Sequence, residues 1–319
     1  MVEECISTDE LRELQKEVHK KNKRIFRIPI SIFVVLTLFS FVKYYFISVY
    51  LQQSFFSSII NVLPTIMIAI LISSVVCIFY IKFCYQKVYD RFNFNFKNRY
   101  IIQTLYRIPS FKSLQYSAQE GFTYDEVKEL NIVPIGRKGM FQSSDSLTGI
   151  LGKTHFRCCN MVTAKEPPPY TRQSLPQQLF YGQIIEFSGI NKQNIPQEYL
   201  QIFSKKALVS MKTQVARHKI KTNNDSFNEN FCVYAENENT YFYILTPKMI
   251  EKITAISKIL KENLYIVFLE NSVFIAYEQL KNPFDAYIDI PIEEQEKEII
   301  NGANIIQKIY EILINDNFS

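Results

Sequence analysis

No Cys-x-x-Cys pair occurs in this chain, and no paired Cys/His spacing of the kind that holds a metal. That removes the zinc-ribbon and dithiol-redox classes, which need such pairs. The six cysteines (Cys5, Cys77, Cys84, Cys158, Cys159 and Cys232) form no framework and fit a reduced compartment. Histidine is scarce as well. His19, His155 and His218 are far apart in sequence and are expected in surface or hydrogen-bonded roles, so neither a metal nor a cofactor is expected. Tryptophan is absent and glycine occurs 8 times; with the abundance of Ile, Asn and Lys, these are compositional traits without a functional reading. The formal net charge of +5 is mild. Its basic part lies beside apolar segments, and the stretch Glu293, Glu294, Glu296, Glu298 is acidic, so no nucleic-acid partner is expected.

The most informative absence is of charge. Residues 28–42 and 59–81 contain no Asp, Glu, Lys or Arg. The two apolar runs, about 28–50 and 59–82, are apolar all round and each long enough for a helix to cross a hydrocarbon core, which takes about 20 residues. Lys43 is the one charge inside the first run, placed where its amine can snorkel. Lys20, Lys21, Lys23, Arg24 and Arg27 precede the pair of runs, Lys82, Lys87, Arg91, Lys97 and Arg99 follow it, and the loop between has no basic residue. By the positive-inside rule both termini are expected in the cytoplasm, the chain spanning an inner membrane twice. Pro64 is read as lying near the start of the second span, where first-turn amides are unpaired anyway.

Four regions follow. Residues 1–27 read as a basic juxtamembrane helix, opened by Ser7 and Glu10 in capping-box spacing. Residues 28–84 form the transmembrane hairpin, and 85–135 an interfacial or linking helical segment that includes a short helix at YDEVKEL. Residues 136–319 form a cytoplasmic α+β domain with a mainly antiparallel sheet and late amphipathic helices. Within it, strands are predicted in 141–162 around a turn at 149–153, in 178–189, in 207–213, and twice in 231–245 around an Asn-rich turn. Residues 166–178, with four prolines, read as a loop. Thr246 caps a helix with Pro247 at its first position. A hairpin over 263–279 and a helix over 290–316 close the chain; a barrel of the pleckstrin-homology kind would also fit this order.

Three segments resemble DUF3137, a family of uncharacterised bacterial membrane proteins. They are SSDSLTGILGKTHFRCCNM (143–161), LFYGQIIEF (179–187) and FNENFCVYAENENTYFYILTPKMIEKI (227–253). The resemblance spans about 140–319 and marks Asp145, Gly149, Lys153, Thr154, Gly182 and Tyr234 as binding candidates. Arg157, Cys158 and Cys159 stand where the family pattern places an acidic residue, and Phe242 and Tyr243 where it has an Ala-Arg-Tyr-like step. The family implies membrane location and this domain layout, and no activity.

Chemical motifs do not assemble in the sequence. Gly149-Ile-Leu-Gly152-Lys153-Thr154 lacks the spacing of a phosphate-binding loop and leads into a strand, so it reads as a hairpin turn. Cys158 lies three residues from His155, which on a strand puts the two on opposite faces, away from a nucleophile–base pair with Asp145. The expected function is a membrane-anchored, non-catalytic binding or scaffold module for the bilayer surface or a membrane or cytoplasmic protein partner. The rival classes are a tethered hydrolase-like enzyme and a small oligomeric transporter or channel subunit.

Overall fold

The computed structural model describes residues 6–51, 55–167, 175–189, 199–208, 216–237, 240–261, 263–269 and 271–315. The chain divides into two compact units. The first runs to Tyr100 and includes Ala286–Gln295; the second comprises Ile101–Asp285 and Glu296 onward.

The first unit is helical. Helix α1, Thr8–Leu51, fuses the basic leader with the first apolar run in one piece, and the Ser7 hydroxyl accepts from the Glu10 N–H at its start. At 1.5 Å per residue it is roughly 66 Å long, twice the hydrocarbon thickness. Leu11, Leu14, Val18 and Ile25 lie buried along one stripe, as their spacing demands. Helix α2, Phe55–Tyr80, follows. A π-helical turn, Ile81–Tyr85, leads into α3, Gln86–Asn95, and a second, Phe96–Tyr100, ends the unit. Because α2 starts at Phe55, Pro64 sits in the helix interior and not in its first turn; of the loop between the two runs, Gln52, Gln53 and Ser54 lie outside the described residues.

Helices α1 and α2 run antiparallel and touch through small residues. Ala69, Ser73 and Cys77 recur every four positions on α2. Ser73 Oγ donates to the Pro29 carbonyl at 2.7 Å, Cys77 Sγ to the Ile25 carbonyl at 3.7 Å, and Tyr80 Oη to the Lys21 carbonyl at 3.3 Å. The Cys77 contact has a cause in the sequence. Pro29 lies inside α1 and has no N–H, so the carbonyl four residues back, that of Ile25, loses its helical partner. The thiol on the neighbouring helix takes it.

In the second unit α4, Ile101–Tyr106, precedes the sheet. The strands are β1 Phe111–Ser117, β2 Phe141–Leu151, β3 Thr154–Lys165, β4 Gln177–Ser188, β5 Leu200–Ser204, β6 His218–Ile220, β7 Phe231–Ala235, β8 Leu264–Leu269 and β9 Ser272–Glu278. They form one sheet in the order β1-β2-β3-β4-β9-β8-β5-β7-β6, antiparallel at every pairing. Among the described residues the sheet is open, edged by β1 and β6, and not a closed barrel. The intervening helices are α5 Tyr124–Leu130, α6 Lys205–Leu208, α7 Asp225–Asn230, α8 Thr240–Ile244, α9 Pro247–Leu260 and α10 Ile292–Tyr310.

Alternation along the strands makes two buried faces. Cys159, Met161, Ile184, Tyr265, Val267, Phe274 and Ala276 pack with Val127 and Leu130 of α5 and with Phe122, Ile132 and Val133 beside it. The opposite face carries Phe156, Cys158, Ile185, Phe187, Ile266 and Ile275, and the Phe187 ring lies 6.1 Å from that of Tyr310 at the end of α10. Both faces covered explains why β8 and β9 read as continuous apolar runs.

Several local expectations change. Residues 85–135 are not a helical linker throughout, because β1 adds an edge strand to β2. The β2–β3 turn is at Gly152 and Lys153, with Gly149 inside β2. Ala207 and Leu208, expected in a strand, belong to α6, and 209–213 lie outside the described residues. The second strand expected in 231–245 is helix α8. The predicted Thr246 cap is present, its Oγ1 accepting from the Met249 N–H, and the expected short helix at YDEVKEL starts from a cap not read in the sequence, Thr123, whose Oγ1 accepts from the Glu126 N–H.

Candidate functional site

A row of polar side chains crosses the α10-side face of the sheet. It runs through Tyr116 on β1, Asp145 on β2, Asn160 on β3, Gln183 on β4 and Tyr277 on β9. Strand register lines them up: Ser144 faces Asn160, Asn160 faces Gln183, and Gln183 faces Tyr277. Asp145 joins the row through a bulge. The β2–β3 register shifts between Ser144 and Leu147, and Asp145 takes φ 57°, a left-handed conformation rare outside glycine and Asn/Asp. The bulge N–H groups of Asp145 and Ser146 are met by the carbonyls of Ala118 and Glu120.

The Asp145 carboxylate is fully buried. It accepts from Tyr116 Oη at 2.5 Å, from Ser144 Oγ at 3.2 Å, from Asn160 Nδ2 at 3.4 Å and from Asn282 Nδ2 at 2.8 Å. Three of these donors meet Oδ2 and one meets Oδ1, so the carboxylate is the hub of a buried hydrogen-bond network. Asn160 Nδ2 also donates to Asn282 Oδ1 at 2.5 Å, and that oxygen accepts from the Phe284 N–H at 2.9 Å. The network thereby pins the chain segment after β9 to the sheet. Tyr277 Oη donates to Gln183 Oε1 at 2.5 Å. Burial and the neighbouring Asp145 push the Tyr116 phenol far above its ordinary range, and burial does the same to Tyr277, so both remain donors.

A second cluster lies on the α5-side face. Arg157 Nη2 donates to Glu126 Oε1 at 2.8 Å, and its guanidinium stacks 3.7 Å from the centre of the Phe122 ring. Arg157 Nε lies 3.6 Å from Glu186 Oε2, an ion pair without a hydrogen bond. Burial works to raise the Glu126 carboxyl, but the Thr123 N–H and Arg157 outweigh it and hold it below the usual carboxylate range. Burial holds Glu186 above that range despite Arg157.

The residues singled out in the sequence serve separate local needs. Asp145 is the hub of the polar row. A Cβ on Gly149 would meet the Phe156 ring at 2.9 Å, and one on Gly182 would meet the Tyr277 carbonyl at 2.0 Å, so each allows strands or side chains to approach closely. Lys153 is exposed in the β2–β3 turn, and Thr154 is buried at the start of β3. Tyr234, on β7, packs its ring 6.4 Å from Phe203. They do not converge on one cavity. Cys158 and Cys159 are buried; burial raises both thiols, Cys158 strongly and Cys159 to about 11, which keeps them protonated and unreactive. His155 is exposed and pairs in register with Ile150 and Ser188. Among the described residues no group of three or more His, Cys, Asp or Glu is placed to hold a metal. Tyr116, Asn160, Gln183, Glu126 and Asn282 went unread as site residues in the sequence; strand pairing places the first three, and the packing of α5 and of the segment after β9 on the sheet places Glu126 and Asn282.

Residues 178–314, somewhat less than half of the chain, match the family model described as "Protein of unknown function (DUF3137)". The match contains Gly182, Tyr234, the Thr246–Pro247 helix start and the β8–β9 hairpin. The block at 143–161, with Asp145, Gly149, Lys153 and Thr154, lies outside it. No curated protein and no solved structure matches the chain.

Proposed function

We propose that this is an integral inner-membrane protein. In this reading α1 and α2 are its two spans, both termini are cytoplasmic, and the sheet unit acts there as a non-catalytic binding module for a membrane or cytoplasmic protein partner. One observation carries the anchoring: the apolar segments of α1 and α2 keep their surface outside the fold. Only 11% and 6% of the most apolar window in each candidate span is buried. Phe39, Phe46, Met67, Leu71 and Ile78 are each more than half exposed. A side chain of that size in water forgoes roughly 1.5–3 kcal/mol of burial. A core helix of a soluble protein would hide them. The Lys and Arg residues at both flanks support the orientation. Two features support the binding role: the Asp145 carboxylate is fully buried and engaged in holding the sheet and the segment after β9 together, and burial keeps the Cys158 and Cys159 thiols protonated. A folded domain held at a bilayer meets other membrane components at raised effective concentration.

Alkaline carbonate extraction and reporter fusions at both ends test the anchoring. Retention in the membrane with both reporters cytoplasmic is the expected outcome; release of the chain, or an external reporter, refutes it. Proximity labelling from the sheet unit, compared with a variant that keeps the hairpin alone, tests the binding role. An identical set of labelled proteins for the two would refute it.

A further inference from the structure

The polar part of α1 carries a mainly basic stripe along one face. Arg12, Gln15, Lys16, His19, Lys20 and Lys23 recur at steps of one, three and four and share one helix face. Residues Ile288–Glu293 stand opposite, and the two walls enclose a groove of about 510 Å³, open to solvent. The second wall is clamped in place. Gln15 Nε2 donates to the carbonyls of Tyr287 at 3.0 Å and Ile290 at 2.5 Å. Gln295 Nε2 donates to the same two carbonyls at 2.8 and 2.6 Å, and its Oε1 accepts from the Tyr287 N–H at 2.9 Å. Both glutamines are buried.

Charge is unevenly compensated along the groove. Arg12, at the outer end, pairs with Glu293 and Asp9. Lys16 pairs with Glu13 at 2.7 Å. His19 Nδ1 lies 3.2 Å from Asp289 Oδ1, an ion pair when the imidazole is protonated. Lys20 and Lys23, at the inner end, are exposed and make no ion pair among the described residues. Lys23 precedes the charge-free run by five residues, roughly 7.5 Å along the helix. Ile288 and Ile290 add apolar, half-buried surface to the facing wall.

We propose that this groove binds the headgroup of an anionic phospholipid, its phosphate held by Lys20 and Lys23 and its glycerol region against Ile288 and Ile290. The proposal rests on reading α1 and α2 as membrane spans. Two uncompensated ammonium groups at headgroup depth, facing an apolar wall, suit a molecule that is anionic at one end and apolar at the other. The bilayer supplies it at high local concentration.

The test uses the full chain reconstituted in phosphatidylcholine nanodiscs containing phosphatidylglycerol, with the lipids that stay bound counted by native mass spectrometry. The Lys20→Gln/Lys23→Gln variant is compared with Arg24→Gln/Arg27→Gln. The second pair removes equal charge from exposed positions that do not line the groove. The lysine pair is expected to lower phosphatidylglycerol retention about tenfold, and the arginine pair to leave it within about twofold. Equal losses would reduce the effect to general surface charge and overturn the site. Displacement of the lipid by inorganic phosphate or glycerol phosphate would assign the site to a free phosphate and overturn the lipid source. Carbonate extraction of the same proteins separates the two ideas: a released wild-type chain refutes the anchoring, whereas a retained chain without lipid preference refutes the groove alone.

Discussion

On α2, Leu71 and Ile78 leave 65% and 64% of their surface exposed; on β8 and β9, Ile266 and Ile275 leave none. The side chains are of the same kind; in the reading proposed above, the difference lies in what each region uses as solvent. The sheet buries its apolar faces under α5 and beside α10, and water is the medium it excludes. The hairpin turns its small residues, Ala69, Ser73 and Cys77, inward and its large ones outward, the arrangement that lipid favours.

A lysine in each region breaks the comparison most sharply. Val267→Lys places a charge in a fully buried strand and is expected to cost upward of about 4 kcal/mol, enough to abolish cooperative unfolding of the sheet unit by calorimetry. Leu71→Lys leaves the sheet folded but lowers the carbonate-resistant fraction, since mid-helix Lys costs about 2.5–3.5 kcal/mol on insertion. If α2 faced water, the same change would be neutral or favourable. Gly182→Ala comes next. Its Cβ would strike the Tyr277 carbonyl, a backbone atom that cannot swing away, and overpacking of this kind costs roughly 1–3 kcal/mol. A lowered melting temperature of the sheet unit checks it.

Asn282→Ala sharpens the comparison inside the sheet unit. It removes a 2.8 Å donor from Asp145 and the acceptor for the Phe284 N–H, for an expected loss of about 1–3 kcal/mol. Hydrogen exchange at Phe284 should accelerate with it. In the hairpin the corresponding polar deletion, Ser73→Ala, is expected to cost only about 0.6 kcal/mol, read from unfolding in bicelles. The smallest effect is one of pH. Glu186 has its folded-state carboxyl raised by burial. Its contribution is therefore full below the unfolded value and lost as pH rises through the folded one. Glu186→Gln should flatten that loss, so the variant gains on the wild type from mildly acid to neutral pH in a melting series. Glu126, held low, works in the opposite sense: its contribution is present above the unfolded value and fades as pH falls through the folded one.

Elements with local causes were legible. Thr246 and Pro247 announce α9, the YDEVKEL segment announces α5, and the charge-free runs announce α1 and α2, because each signal sits within a turn or two of what it specifies. Strand β1 was not. Its residues FKSLQYS are polar, Ser113 takes φ 50°, and the register slips between Lys112 and Gln115, so only pairing with β2 makes it a strand. Helix α8 reversed a reading based on aromatic β-formers, a case of context overriding weak propensity. Arg157 looked like a departure from a family pattern until Glu126, Glu186 and Phe122 appeared around it.

Composition and periodicity were enough for the two lipid-length helices, the basic flanks and an antiparallel α+β unit, since hydrophobic runs, caps and strand alternation act over a few residues. The strand order, the bulge that sets Asp145 among Tyr116, Asn160 and Asn282, and the wall that Gln15 and Gln295 brace beside Lys20 and Lys23 came only with the folded chain. Each depends on backbone pairing or on side chains brought together from far apart in the chain, and no short window of sequence holds both partners.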